Sequence, residues 1–186
     1  MTRYDVHQHL WPASFVAALR SRTAPPCLDG ASLVTPEGAF PFDPAVHDLD
    51  TRLAMLDRHG IDVALVSLQP TLGIESLDPG EQRALEDAWI EGIGETVARA
   101  EGRILALAPW RVLPGFAGTS VGVSALLDPE RGAAVDDVDR AGGLLFVHPE
   151  AEGPLAPGRP QWWNWTAGYT AQMQGAYLAW LDGGRE

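Results

Sequence analysis

The chain has 186 residues, a length that suits one domain, 1–186, with a sizeable core. Its 13 basic residues are all arginine, and against 25 acidic ones they leave a net charge of −12. That balance argues against nucleic acid or an anionic membrane surface as partner, and the lack of lysine excludes Schiff-base chemistry and a P-loop.

Cys27 is the only cysteine, which excludes an internal disulfide and a thiolate zinc site and fits a reducing cytoplasm. The opening MTRYDVHQHL has no apolar signal core, and no apolar run approaches the roughly 20 residues of a membrane span.

Taken in chain order, Tyr4–Leu10 is a predicted strand and Pro12–Arg22 a helix with Phe15, Val16 and Leu19 on one face. Five prolines break the stretch from Thr23 to Pro44, where Ser32–Val34 and Ala39–Phe42 flank a Pro-Glu-Gly turn and predict a small hairpin. Asp48–His59 is a predicted helix stopped by Gly60, and Ile61–Leu68 an aliphatic strand. Gly80–Ala100 is the next helix, followed by strands at Arg103–Ala108 and Phe116–Val123. Only Pro109–Gly115 separates those two strands, too little for the usual helical crossover. Either the later strand is not a parallel neighbour or the region is rebuilt. Pro129–Arg140 is a helix, Gly143–Val147 an apolar strand closed by His148-Pro149, and Gln161–Asp182 a helix. Helices alternate with strands that are apolar on both faces, the pattern of an α/β fold with a parallel sheet.

The strongest chemical signal is Asp5-Val-His7-Gln-His9. Two histidines at i and i+2 on a strand project to one face, with Cα atoms roughly 6.6 Å apart, close enough to share a metal ion. They also sit at the C-terminal end of their strand, where α/β folds build sites. His148 at the mouth of the apolar strand Leu144–Val147 is the candidate third imidazole. Asp5 shares the face of His7 and His9 and is a candidate supporting carboxylate, with packing or hydrogen bonding inside the sheet an equal alternative; Glu150 is a weaker candidate. His47 and His59 read as structural, the latter at a helix C-terminus, and Cys27 has no basic neighbour to activate it. In the tail, Trp162, Trp165, Tyr169, Met173, Ala176 and Trp180 step by three or four and predict one apolar helix face. Core packing is the plainer role for that face; the sharper one sets Trp162 and Trp163 over a substrate mouth.

The passages DVHQHLWP, DRHGIDVALVSL and LLFVHP, in this order, resemble the amidohydrolase superfamily over most of Tyr4–Pro149. The closest resemblance is to its amidohydrolase-related branch, which includes aminocarboxymuconate-semialdehyde decarboxylase-like enzymes. The resemblance implies a TIM-type (β/α)8 barrel with one divalent metal, usually zinc, held by His7 and His9 of the first strand and His148 of the fifth. It implies a metal-dependent hydrolase attacking an amide, ester or lactone carbon of a small molecule. A zinc-dependent decarboxylase and a truncated non-catalytic relative are the alternatives. A complete barrel needs about 250 residues. The last strands and the family's metal-binding aspartate on the eighth strand are therefore expected to be missing, with little turnover by this chain alone. Open sheet edges and the apolar tail helix imply a homo-oligomer.

Overall fold

The computed structural model describes residues 1–160 and 162–183. Five strands form one parallel sheet in the order β1 (Tyr4–His9), β5 (Val63–Ser67), β6 (Ile104–Pro109), β7 (Gly118–Gly122) and β8 (Leu145–His148). The connecting helices are α1 (Ala13–Arg20), α2 (Leu49–His59), α3 (Pro79–Arg99), α4 (Ser124–Leu127), α5 (Ala133–Ala141) and α6 (Tyr169–Asp182). Between α1 and α2 lies a second, antiparallel sheet of β2 (Cys27–Asp29), β3 (Ser32–Thr35) and β4 (Gly38–Pro41). The predicted hairpin is thus present, widened by the strand at Cys27.

Local chemistry accounts for the helix ends. The Asp48 carboxylate accepts the Thr51 N–H at 2.8 Å to start α2, and Gly60, left-handed at φ 62°, ends it. Asp78 caps α3, with Pro79 in the first turn where a missing N–H costs nothing. The predicted helix start at Gln161 lies outside the described residues. From Asn164 to Gly168 the chain forms one π-helical turn before α6 begins.

The main core lies between the first strands and α1 and α3, around Phe15, Leu19, Leu72, Trp89, Ile93 and Ile104. At Gly92 a Cβ would fall 2.3 Å from Ser14 Oγ and 2.5 Å from Pro12 Cβ, so the close approach of α3 to the start of α1 depends on glycine there. A smaller cluster, Val121, Ala125, Ala134 and Val135, is covered partly by Trp180 of α6.

The β6–β7 passage resolves the alternatives left open by its length. β7 is a parallel neighbour of β6, and the link, residues 110–117, contains no helix. It suffices because the pairing is short: only Leu107–Pro109 faces Gly118–Ser120, so the chain returns over about 10 Å. Trp110, at φ 58°, donates its N–H to the Ser120 carbonyl at 2.9 Å and fixes the turn. Phe116 packs on the main core, its ring 6.5 Å from that of Trp89.

In a flat sheet, edge strands four spacings apart are separated by about 19 Å. Here side chains of the edge strands β1 and β8 touch, His7 Nε2 lying 3.0 Å from His148 Nε2. The sheet is therefore curled into a half-barrel with its helices outside. Among the described residues no helix is long and apolar enough to cross a membrane.

Candidate metal centre and its cavity

Strand alternation turns Gln8 to the helix side, where it is buried, and His7 and His9 to the concave side. His148 ends β8 on the opposite edge, 5% exposed. The curl brings all three imidazoles together at the C-terminal end of the sheet. His148 Nε2 lies 3.0 Å from His7 Nε2 and 3.2 Å from His9 Nε2. The rings meet edge to face, with centroids 4.9–5.2 Å apart.

The other nitrogens fix the tautomers. His148 Nδ1 lies 2.7 Å from the Pro149 carbonyl and His9 Nδ1 lies 3.1 Å from the Ser67 carbonyl. A carbonyl only accepts, so in the neutral rings Nδ1 carries the proton and Nε2 presents a lone pair to the cluster. Burial pushes His9 down to about 3, with the charges of His148, His7 and Arg52 adding to it; the Ser67 carbonyl opposes. Burial likewise pushes His148 down to about 4, against the Pro149 carbonyl. Both are therefore neutral at ordinary pH, the state a ligand needs.

Lone pairs converging on one another repel unless a proton or a cation lies between them. The separations of 3.0 and 3.2 Å compare with about 3.4 Å for the edge of a tetrahedron with 2.1 Å metal–nitrogen bonds. Backbone carbonyls behind two of the rings are the usual orienting partners of ligating histidines. The donor set thus fits a borderline divalent cation. Among the described residues no carboxylate joins the three histidines as a further ligand.

The cluster opens into a cavity of about 420 Å³, walled by Leu33, Glu37 and Phe40 of the small sheet and by Trp165 and Tyr169 of the tail. Phe40 and Trp165 meet with ring centroids 5.8 Å apart. Tyr169 donates its hydroxyl to Glu37 Oε2 at 2.6 Å, and the Glu152 N–H donates to Glu37 Oε1 at 2.9 Å, strapping the hairpin to the tail. Burial first, and the Glu37 carboxylate second, push the Tyr169 phenol upward, so it stays protonated. Gln69 donates to Thr71 Oγ1 at 2.7 Å on the floor between hairpin and sheet.

The remaining candidates lie elsewhere. Asp5 accepts the His7 N–H at 3.1 Å and the Gln8 amide at 2.6 Å, bracing its own strand where the β1–β5 register shifts, rather than an imidazole. Glu150 accepts the Ser124 hydroxyl at 2.6 Å and packs against Gly122. His47 stacks on Trp11, centroids 4.6 Å apart, and its Nδ1 accepts the Trp11 backbone N–H at 3.2 Å; burial lowers it to about 4. His59 is exposed at the α2 terminus, and Cys27 is buried in β2. Trp162 and Trp163 are not among the described lining residues: Trp162 is 52% exposed, and the Arg159 guanidinium sits over Trp163 at 3.9 Å. Trp165 and Tyr169 keep to a common side across the π-turn and wall the cavity, while Ala176 and Trp180 pack toward the smaller core cluster. Glu37, Phe40, Trp165 and Tyr169 escaped the sequence reading as cavity walls, because nothing local ties a hairpin to a tail more than a hundred residues on.

No family model matches the chain, and no curated protein matches it. Among solved structures it is similar to 5-carboxyvanillate decarboxylase LigW from Sphingomonas paucimobilis, with a TM-score of 0.66 and 20% identity, over 96% of this chain and 62% of that one. It also matches a probable 2-pyrone-4,6-dicarboxylic acid hydrolase from Acinetobacter baumannii, with a TM-score of 0.47 and 13% identity, over 80% of this chain and 49% of that one. The likeness to the decarboxylase shows the fold, and the chain spans 62% of its length.

Proposed function

We propose that this protein is a metal-dependent hydrolase of amidohydrolase type, with His7, His9 and His148 holding one divalent cation, zinc by preference. The observation that supports it is the meeting of three Nε2 lone pairs at the mouth of a cavity. When bound, such an ion supplies Lewis-acid polarisation of a carbonyl and acidifies water. The chain's own residues do the rest. The Ser67 and Pro149 carbonyls hold two of the imidazoles in the ligating tautomer. Leu33, Phe40 and Trp165 take the apolar body of a small molecule and exclude water from it. No described carboxylate stands at the histidines to take a proton from attacking water, and loss of a general base typically costs about 10²–10⁴ in rate. Turnover of an ester or lactone is therefore slow. The lone buried cysteine supports a cytoplasmic setting.

Titration of the full chain with zinc is expected to show one ion per chain. Structural zinc is worth about 10–16 kcal/mol over four ligands, so removing one by His148→Ala weakens binding by roughly 10²-fold. Slow hydrolysis of an aryl acetate should follow zinc occupancy and vanish with it. A folded protein that takes up no zinc, or binds it equally well after His148→Ala, sinks the reading.

We further propose self-association. Tyr177, Leu178 and Leu181 of α6 are 63%, 60% and 50% exposed, and Tyr4 and Val6 on the β1 edge are 58% and 53% exposed. A net charge of −12 opposes contact between copies. Light scattering should accordingly show more dimer as salt rises. A monomer at both low and high salt rejects this.

A further inference from the structure

The walls of the cavity differ sharply in charge from what an anionic substrate needs. Among the described lining residues, Glu37 is the only group with a full charge, and no arginine is present. The chain has no lysine to take an arginine's place. Arg52, the guanidinium beside His9, is turned to the other side of the strand. There it donates to Gln8 Oε1 at 2.8 Å, the Val46 carbonyl at 2.8 Å and the His9 carbonyl at 3.2 Å.

The Glu37 carboxylate is fixed in place at the cavity wall. Its two oxygens accept the Tyr169 hydroxyl and the Glu152 N–H. Beside it stand the faces of Phe40 and Trp165, an apolar surface next to a fixed negative charge. Flat apolar groups bearing a positive or neutral substituent suit such a wall. A carboxylate there would lose its hydration, find no cationic partner and face Glu37.

We propose that the hairpin side of the cavity selects an uncharged or cationic, flat apolar group, and that Glu37 excludes substrates carrying a carboxylate at that end. The inference deepens the hydrolase reading and rests on it for the reacting end, where the histidines would hold the ion. At most one anionic group is admitted, and only toward the histidines. The preferred substrate class is then an aromatic ester, lactone or amide without a second acid group, rather than an aromatic dicarboxylate.

Two binding measurements separate this from the metal reading. In the zinc-free full chain, calorimetry should rank benzamidine above benzamide and benzamide above benzoate, with about tenfold between the first and last. In the zinc-loaded protein, benzoate should bind about tenfold more tightly than isophthalate, which adds one carboxylate to the same ring. Glu37→Gln should bring each ratio to within about twofold, because it removes the charge and keeps the shape. Tyr169→Phe removes the strap and keeps the carboxylate, so it should retain the ranking; this separates charge from loosening of the tail. Isophthalate binding as well as benzoate, a ranking unmoved by Glu37→Gln, or no binding of any probe overturns the proposal. Failure to bind zinc with the zinc-free ranking intact overturns the metal reading alone.

Discussion

Trp89→Ala is expected to cost about 3–5 kcal/mol of folding stability, the range for deleting a large aromatic from a packed core. Trp89 is fully buried in α3, and its indole N–H donates to the Leu10 carbonyl at 2.9 Å. The substitution therefore opens a cavity and strands a buried acceptor. Leu10 directly follows His9, so the same bond anchors the strand end that presents two of the three imidazoles. Trp89→Phe keeps most of the volume and loses the bond, and should cost about 1 kcal/mol. Urea denaturation checks both. If alanine costs no more than phenylalanine, Trp89 is not the centre of this core.

Glu75→Gln is expected to stabilise the protein by about 3 kcal/mol at pH 8 and to change little at pH 4. Glu75 sits in the turn after β5, and burial, with the charges of Glu150 and Glu86 adding, raises its carboxyl from 4.5 to about 7 against the pull of its own backbone N–H and Arg131. Among the described residues its Oε2 has no hydrogen-bond partner, nor does Ser120 Oγ, which lines the same small cavity. The raised value means that the folded state holds this proton more tightly than the unfolded chain. Between pH 4.5 and 7 stability therefore falls as pH rises, and above 7 the full cost of the buried charge remains. At 2–4 °C per kcal/mol, the gain at pH 8 corresponds to a melting temperature higher by about 6–12 °C. Melting curves at both pH values decide it; an equal shift at the two would mean that the carboxyl does not titrate in this range.

Of the five strands of the half-barrel, β5, β6 and β8 were legible as short aliphatic runs between helix stops and glycines, as in ALVSL and LLFV. His7 and His9 announced themselves by alternation on β1. His148 was visible only as a polar ring at the end of an apolar strand. Their meeting required the curl, a property of five strands together that no window of sequence contains. The helix-free β6–β7 link was misleading for a similar reason, since its sufficiency depends on a pairing only three residues deep. In the tail, the periodic stripe included Trp165 and Tyr169 but was read chiefly as core packing, and it is these two that wall the cavity. Asp5 takes the plainer of its two expected roles, hydrogen bonding within its own strand where the β1–β5 register shifts between Asp5 and Gln8.

The three imidazoles come from the two outermost strands of the sheet, 139 and 141 positions apart in the chain. Their spacing is thus a gauge of bending in everything between them. A slight flattening at any of the four strand pairings adds at the rim, where the gap to be kept is about 3 Å. Substitutions under β5, β6 or β7, remote from any imidazole, should therefore spread the nitrogens as effectively as changes beside them. The weakest hinge in that arc is the shallow β6–β7 seam, held by the Trp110 turn and the wedge of Phe116. The chemistry at the rim is in this sense governed from the middle of the sheet.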